Sequence, residues 1–283
     1  MTKDQICIVI PIYKEKLNDF EVQSVGQCIK TLSDYVIHFI CSDKLDLDFY
    51  KLRFPEIEHY IFFDSKYFQD VTGYNCLMLS PEFYKAFKKF NYMLIYQTDC
   101  FVFRDELLLW ANKGYDYTGG IWFDNYHDDP SFGAKIWHAG NGGLSLRKVN
   151  KMILILTSKK PLKSLSELIK EKKQLENKRK INLLRKLSLL TNSFLGYKNN
   201  FNYFASTYNI NEDVFFMEAC LIFKKITTPK VEEALSFSWD KHPQFLHETY
   251  GLIPFACHAW FRDDGHYKGN REFWLDIISK NNE

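Results

Sequence analysis

Short apolar runs that end abruptly in polar residues recur through the first hundred residues of the chain. The clearest run spans residues 92–96, and it is followed at once by Gln97-Thr98-Asp99. Similar runs occupy residues 6–13, 35–41 and 59–63. Because these runs are short and rich in β-branched and aromatic residues, they predict strands, and the run at 92–96 suits a strand that is buried on both faces of a sheet.

The stretches between these runs have the spacing of helices. Helices are predicted over residues 18–32, 45–54 and 75–90, and the last must be interrupted at Pro81, because proline is accepted only in a first helical turn. Strands that alternate with helices predict a βαβ pattern and a largely parallel sheet. Ligands bind at the carboxyl ends of the strands in such sheets, so the residues after each strand are site candidates.

The chain beyond residue 105 is predicted to continue the α/β pattern and then to become irregular after residue 227. The predicted elements are a helix at 105–113, a strand and turn at 116–123, a polar loop at 124–132, a helix at 214–223 and a short strand at 234–238.

A cluster of glycines precedes Arg147. Gly140, Gly142 and Gly143 fall within four positions, and such a cluster lets a backbone approach a ligand closely. The alternative is a tight turn that leads into a helix at Arg147. The sequence pattern is neither a Walker loop nor a Rossmann fingerprint.

Residues 159–198 differ from the rest of the chain in composition. They hold twelve Lys and Arg and three Glu, a net charge of +9, whereas the whole chain has +2 and the remainder therefore −7. Leucine and isoleucine recur there at near-helical spacing. This pattern predicts a basic amphipathic helix in two pieces, which either docks on an anionic membrane surface or an acidic partner, or packs on the domain through its leucines. No nucleic-acid partner is expected, because aromatic residues are not interleaved with the basic ones.

Composition places the chain among ordinary globular proteins. Of its 283 residues, 46% are apolar and 25% are charged. Seven scattered cysteines without a Cys-x-x-Cys pair indicate reduced thiols and a cytoplasmic location. The sequence shows neither a signal peptide nor an apolar stretch of transmembrane length.

Four residues carry candidate chemistry. A carboxylate at the end of a buried strand, such as Asp99, needs a partner or a function, although it could also cap the next turn. Glu212 and Asp213 precede an apolar helix, where they could act in catalysis or simply complement the helix dipole. His258 lies in an apolar run, and it could be a ligand or a core histidine.

Six segments together resemble the GT-A nucleotide-sugar glycosyltransferases, and more closely a family of uncharacterised proteins described as glycosyltransferase-like. Their order and spacing along the chain are more specific than any one of them. They are Val71-Thr72-Gly73-Tyr74-Asn75, Ile95-Tyr96-Gln97-Thr98-Asp99, Tyr115-Asp116-Tyr117-Thr118-Gly119, Gly140-Asn141-Gly142-Gly143-Leu144-Ser145-Leu146-Arg147, Asn211-Glu212-Asp213-Val214-Phe215-Phe216 and Pro254-Phe255-Ala256-Cys257-His258.

The resemblance implies one α/β domain over 1–283, a single GT-A (Rossmann-like) domain with a mainly parallel central sheet. Residues 1–105 would form the nucleotide-binding half. Residues 106–158 and 199–283 would form the donor-sugar and acceptor half, and residues 159–198 would be a basic amphipathic helical insertion.

The resemblance also implies a divalent cation held against the donor diphosphate by an Asp-x-Asp triplet. The matching triplet here is Gln97-Thr98-Asp99, so an amide replaces the first carboxylate. Asp99 and His258, which matches a C-terminal histidine of such enzymes, are the implied metal ligands. Oxygen ligands suit Mg²⁺ or Mn²⁺, and an imidazole ligand favours Mn²⁺.

The remaining site residues are implied in the same way. Asp213 resembles the acidic base of inverting enzymes, with Glu212 as the alternative, because an acceptor hydroxyl needs a carboxylate to take its proton. The implied donor-binding residues are Pro11, Tyr13, Asp43, Asp64, Tyr74, Asn75, Gln97, Thr98 and Asp99. Trp122, Asn141, Gly142 and Gly143 are implied to line the donor-sugar and acceptor region.

The expected function is therefore transfer of a sugar from a nucleotide-sugar donor, UDP-linked in the first instance, to a hydroxyl of a surface glycan or lipid-linked acceptor. The enzyme would be inverting, cytoplasmic and peripheral on the inner face of the membrane. Two alternatives remain open. One is a sugar- or nucleotide-binding protein that has lost catalysis, and the other is a nucleotidyltransferase.

Overall fold

A computed structural model describes residues 1–124, 130, 133–175 and 183–280 of the chain. Its centre is a six-stranded sheet in the order β3-β2-β1-β4-β7-β6. The first four strands are parallel, β7 is antiparallel to β4, and β6 is antiparallel to β7. A second sheet of three short strands has the order β5-β9-β8. The strands are β1 (Ile6–Pro11), β2 (Val36–Ser42), β3 (His59–Phe63), β4 (Tyr92–Tyr96), β5 (Phe101–Val102), β6 (Tyr117–Phe123), β7 (Ile136–Lys148), β8 (Ser238–Trp239) and β9 (Ala256–Cys257).

The predicted α/β fold with a mainly parallel central sheet is confirmed. The described helices are α1 (Asp19–Thr31), α2 (Asp48–Arg53), α3 (Val71–Met78), α4 (Pro81–Ala86), α5 (Leu107–Asn112), α6 (Val149–Leu156), α7 (Leu165–Leu175), α8 (Leu183–Leu195), α9 (Phe201–Ser206), α10 (Glu212–Leu221), α11 (Val231–Ala234), α12 (Pro243–Tyr250) and α13 (Asn270–Lys280), with short 3₁₀ turns at Lys3–Gln5, Ser65–Phe68 and Gly265–Tyr267.

Local sequence explains where several of these helices begin. The Asn18 side chain accepts a hydrogen bond from the Glu21 backbone N–H, and the Glu21 carboxylate accepts one from the Asn18 N–H, so a capping box starts α1. The helix predicted over 75–90 is two helices, because Ser80 caps α4 and Pro81 occupies its first position.

Alternating side chains of β1 face two sides of the sheet. Ile6, Ile8 and Ile10 pack with α1 and α2 residues on one side, whereas Cys7 and Val9 pack with residues of α3, α4, α6 and α10 on the other. A third apolar cluster joins the small sheet to α12 and α13. Because both faces of β1, β2 and β4 are covered, these strands read in sequence as continuous apolar runs, whereas the edge strand β3 has no buried residue.

The prediction of an irregular chain after residue 227 was wrong, because α12 and α13 lie there. The alternative offered for the glycine segment and the prediction of a strand at 234–238 were also wrong. The glycine segment before Arg147 is neither a turn nor a helix start, because it lies inside the thirteen-residue strand β7. The strand predicted at 234–238 is the end of α11 followed by the two-residue strand β8.

The described residues of the basic insertion include the helices α7 and α8, which pack against each other. Both of its ends meet at Asn199. The Leu162 N–H donates to the Asn199 carbonyl (2.9 Å), and the Asn199 side chain exchanges hydrogen bonds with the backbone of Lys163 (3.1 and 2.8 Å). The predicted loop at 124–132 and the middle of the insertion at 176–182 fall mostly or wholly outside the described residues. In the part of the chain that the structure covers, no helix has the length and apolar character needed to cross a membrane.

Candidate active site

A cavity of about 690 Å³ opens at the carboxyl ends of β1 and β4. Segments distant in sequence meet around it, including the start of α3, the middle of β7, the start of α10 and the end of β9. Thirteen of the sixteen predicted site residues line it: Pro11, Tyr13, Tyr74, Asn75, Gln97, Thr98, Asp99, Asn141, Gly142, Gly143, Glu212, Asp213 and His258.

The three other predicted site residues do not line this cavity. Asp43 is exposed, and the exposed Asp64 caps a 3₁₀ turn by accepting a hydrogen bond from the Lys66 backbone (3.0 Å). Both follow strands distant from β4, since β2 and β3 are the second and third strands away in the sheet. Trp122 lies in a neighbouring groove instead.

His258 is held between two carboxylates. Its Nδ1 lies 2.8 Å from Asp240 Oδ1, and its Nε2 lies 3.2 Å from Asp99 Oδ1 and 3.1 Å from Gln97 Oε1. Burial alone would lower the pKa of His258, but attraction to Asp99 and Asp240 outweighs it and raises the pKa to about 10. Burial likewise opposes ionisation of Asp99, yet attraction to His258 keeps the pKa of that carboxyl below its usual value.

The same atoms fit a divalent cation with few protein ligands. Ligands about 2.1 Å from an ion and at right angles to each other are about 3 Å apart, and Asp99 Oδ1 and Gln97 Oε1 have this spacing from His258 Nε2. Asp240 also orients the imidazole as carboxylates orient metal-bound histidines. Within the described residues, no group of three or more His, Cys, Asp or Glu side chains is arranged to hold a metal, so the amide and a bound diphosphate would have to complete the shell.

Asp213 and Glu212 share a helix start but have different surroundings. Arg147 Nη2 donates a hydrogen bond to Glu212 Oε1 (2.8 Å), and the two buried side chains form an ion pair. Asp213 faces the cavity, where its Oδ2 accepts a hydrogen bond from the Gly142 N–H (3.2 Å). Burial, with repulsion from Glu212, raises the pKa of Asp213 to about 7. The geometry therefore favours Asp213 over Glu212 as a proton acceptor.

Packing inside the protein requires two glycines of β7, and their predicted close approach to a ligand stays a prediction. A Cβ atom at Gly143 would collide with the His258 imidazole, and one at Gly142 would collide with the Glu212 carboxylate. Both positions require glycine, because other side chains of the protein occupy the space that a Cβ atom would need. Both residues also line the cavity. Similarly, Asn75 uses its side-chain oxygen to accept a hydrogen bond from the Glu212 backbone (3.2 Å), and this holds the start of α10.

Replacing Gly143 with alanine is expected to destabilise the protein by about 1–3 kcal/mol, because the added methyl group must displace His258 or shift the strand. Gly26→Ala is the matched control. It lies inside α1 with nothing within 4 Å of the new Cβ, so it should be neutral or stabilise by about 0.5–1 kcal/mol. Urea unfolding of both variants measures the difference, and an equal effect of the two substitutions would contradict the packing described here.

Several cavity residues escaped the sequence patterns. Lys14 and Arg262 bring positive charge to the cavity wall. Lys14 Nζ lies 2.7 Å from Glu21 Oε1, and Arg262 Cζ lies 4.2 Å from the centroid of the Tyr267 ring. Asp240, which orients His258, follows the two-residue strand β8. The only signal for Asp240 in the sequence was a carboxylate directly after Phe237-Ser238-Trp239.

A second groove of about 610 Å³ adjoins the cavity. The rings of Trp122 and Trp137 stack at its edge, with centroids 6.3 Å apart and planes inclined by 29°. Met217 and Leu221 supply apolar lining, and Asp213 borders both the groove and the cavity.

Solved structures that resemble the chain include sugar transferases. The galactosyltransferase LgtC, in complex with donor and acceptor sugar analogues, is 12% identical with a TM-score of 0.46, and the match covers 96% of this chain and 95% of LgtC. Mouse xyloside xylosyltransferase 1 is 12% identical with a TM-score of 0.42, covering 95% and 96%. Core-mannan synthase A from Aspergillus fumigatus, in an Mn/GDP form, is 11% identical with a TM-score of 0.38, and the match spans 52% of this chain and 60% of that protein.

No curated protein sequence matches the chain significantly. One family does match, over residues 58–258, and this region holds all the motifs quoted above except the strand ends at Pro11, Tyr13 and Asp43. The matched region covers well over half of the chain. The chain therefore belongs to the family described as "Protein of unknown function (DUF5672)".

Proposed function

We propose that the protein transfers a sugar from a nucleotide-sugar donor, bound in the cavity, to a hydroxyl of an acceptor bound in the adjoining groove. The observation that carries this proposal is the position of Asp213 on the border of both spaces, with a pKa raised to about 7. A carboxylate between donor and acceptor can take the proton of an attacking hydroxyl as that oxygen bonds to the sugar.

The part of the cavity around Asp99 and His258 suits a diphosphate leaving group. Asp99, His258 and the Gln97 amide would hold a divalent cation, Mn²⁺ or Mg²⁺. A bound cation neutralises negative charge that develops on the departing diphosphate. Lys14 and Arg262 add fixed positive charge on the same side, which would bind the donor and stabilise the leaving group.

Asp213 would act from the acceptor side, and this arrangement supports an inverting reaction. The hydroxyl attacks the anomeric carbon, the bond from that carbon to the diphosphate oxygen breaks, and Asp213 takes the hydroxyl proton. Proton NMR of the first product formed from an α-linked donor tests the stereochemistry: a β-linkage supports inversion, and an α-linkage overturns it.

The groove supports a saccharide acceptor, such as a surface glycan or the glycan of a lipid-linked intermediate. Sugar rings have apolar faces that pack on tryptophan, and Trp122 and Trp137 offer such a surface beside Asp213. The carboxylates of Glu218 and Asp240 in the same groove can accept hydrogen bonds from sugar hydroxyls.

Trp137→Ala is expected to raise the KM for the acceptor about tenfold and to leave the KM for the donor unchanged. Stacking of a sugar face on an aromatic ring contributes roughly 1–2 kcal/mol, and 1.4 kcal/mol is a factor of ten. Tyr250→Ala removes a comparably exposed aromatic ring outside the groove and is the control. Equal KM values for wild type and Trp137→Ala would remove this residue from the acceptor site.

The whole proposal is tested by calorimetry and turnover assays with a panel of nucleotide-sugars, beginning with UDP-linked donors, with and without Mn²⁺. Release of a nucleoside diphosphate supports glycosyl transfer. Release of pyrophosphate from a nucleoside triphosphate would instead identify a nucleotidyltransferase. Tight donor binding without turnover on any acceptor would favour a binding protein that has lost catalysis.

A cytoplasmic location is part of the proposal. All seven cysteines lie within the described residues and are free thiols, and five of them are buried. This supports folding in a reducing compartment.

A further inference from the structure

The outward side of α8 carries large apolar side chains. Leu184, Leu187, Phe194 and Leu195 are 77%, 51%, 80% and 74% exposed, and we name these four residues the α8 stripe. Their spacing of i, i+3, i+10 and i+11 places them along one side of the helix. A helix that packed on the domain through these side chains would bury them. Because the α8 stripe is exposed, α8 does not pack on the domain through this side.

The other side of α8 is the one that packs within the protein. Leu189, Asn192 and Ser193 are partly buried, and α8 lies against α7. The helix pair is also anchored, because Asn199 ties the two ends of the insertion together through three hydrogen bonds. The α8 stripe is therefore presented from a fixed base.

Positive charge adjoins the α8 stripe. Lys186 lies on the same helix, and Lys159 and Lys198 border the shallow depression that also contains Leu195 and Tyr197. The insertion as a whole has a net charge of +9, against −7 for the rest of the chain. An apolar stripe flanked by basic residues is the pattern of helices that lie in the interface of anionic membranes.

We propose that the α8 stripe inserts into the surface of a membrane that contains anionic lipids, with α8 parallel to the bilayer plane. Charge alone would also suit an acidic protein or a nucleic acid, but exposed leucine and phenylalanine side chains gain little from either, whereas acyl chains bury them. This inference rests on the insertion only, and it holds or fails independently of the proposed sugar transfer.

Sedimentation of the full chain with vesicles tests the proposal. Binding should be strong with vesicles of phosphatidylcholine and phosphatidylglycerol, weak with phosphatidylcholine alone, and reduced by salt, because salt screens the attraction. Leu187→Ser/Phe194→Ser should weaken binding by roughly tenfold or more, since two apolar side chains lose their burial in lipid. Leu52→Ser/Leu154→Ser, which changes exposed leucines on α2 and α6, is the matched control and should bind as wild type does.

Insertion depth separates true insertion from surface adsorption. Phe194→Trp adds an indole on the α8 stripe, and brominated acyl chains should quench its emission beyond the quenching seen for the wild-type chain. Equal binding to neutral and anionic vesicles, wild-type binding by the Leu187→Ser/Phe194→Ser variant, or no added quenching of Phe194→Trp would each overturn the proposal. Binding to acidic protein or nucleic acid that also outcompetes the vesicles would assign the surface to that partner instead.

Discussion

Asp213→Asn is expected to lower kcat for sugar transfer by about 10²- to 10⁴-fold, because the acceptor hydroxyl loses its proton acceptor. The KM for the donor should change little, since the amide keeps the shape of the carboxylate. Glu232→Gln, an exposed carboxylate on α11, is the control and should retain wild-type activity. A wild-type rate for Asp213→Asn would show that another group takes the proton.

The pH profile provides a second test of the same residue. Burial and the nearby Glu212 raise the pKa of Asp213 to about 7, so the wild-type rate should fall as the pH drops below that value and the carboxylate becomes protonated. The variant should lack this dependence. A profile that stays flat between pH 5 and 8 in the wild type would contradict the assignment.

Folding stability should depend on pH in the opposite direction from the rate. A carboxyl whose pKa is raised on folding favours the native state while it is protonated, and this contribution is lost as the pH rises through the folded pKa. Stability should therefore fall between pH 3.8, the pKa of this carboxyl in the unfolded chain, and about pH 7, its pKa in the folded protein. Asp213→Asn should gain stability relative to wild type between pH 4 and pH 8, by at most about 4 kcal/mol, as measured by urea unfolding at each pH.

Arg147→Met is expected to lower the free energy of unfolding by about 3–5 kcal/mol, because it leaves the buried Glu212 carboxylate without its cation. The guanidinium also donates to Ser145 Oγ and to the Tyr84 hydroxyl, both at 2.9 Å, and it lies over the Tyr117 ring.

The double variant Arg147→Met/Glu212→Gln separates the ion pair from the other contacts. Once the unpaired charge is removed, a large part of the lost stability should return, as urea unfolding at pH 7 would measure. A loss below about 1 kcal/mol for Arg147→Met, or no recovery in the double variant, would mean that the ion pair does not govern stability here.

The interaction also bears on the reaction. Arg147 and Glu212 fix the first turn of α10, and Asp213 is the next residue, so the pair positions the proposed base. The conservative variant Arg147→Lys should therefore retain more activity than Arg147→Met if the fold of both is intact.

Much of the sheet was predictable because β1, β2 and β4 are buried on both faces and are separated by stretches with helical spacing. The residues that follow β1 and β4 could be assigned to a site on that basis, and Pro11 and Gln97 to Asp99 do line the cavity. Sequence periodicity does not give the order of strands. Neighbouring strands are about 4.8 Å apart, so the end of β3 lies roughly 14 Å from that of β4, and Asp64 does not line the cavity.

The strand β7 was not predicted, and this has a physical cause. Glycine normally weakens a strand, so a run of glycines suggests a turn. At Gly142 and Gly143 the strand persists because Glu212 and His258, far away in sequence, occupy the space that side chains would need. Such a tertiary reason leaves no local signal. Asp240 and Arg262 were missed similarly, since each gains its position only through folding of the C-terminal segment.

The hydrogen bonds at Asn199 have a consequence for how this chain could change in length. Leu162 and Asn199 are already neighbours in space, so a short connection could replace the segment between them. The entropy cost of closing such a short connection is small. The whole segment between them is thus a removable module: the remaining α/β core should fold without it, and related chains could carry a longer, shorter or unrelated module at the same point without rebuilding the cavity.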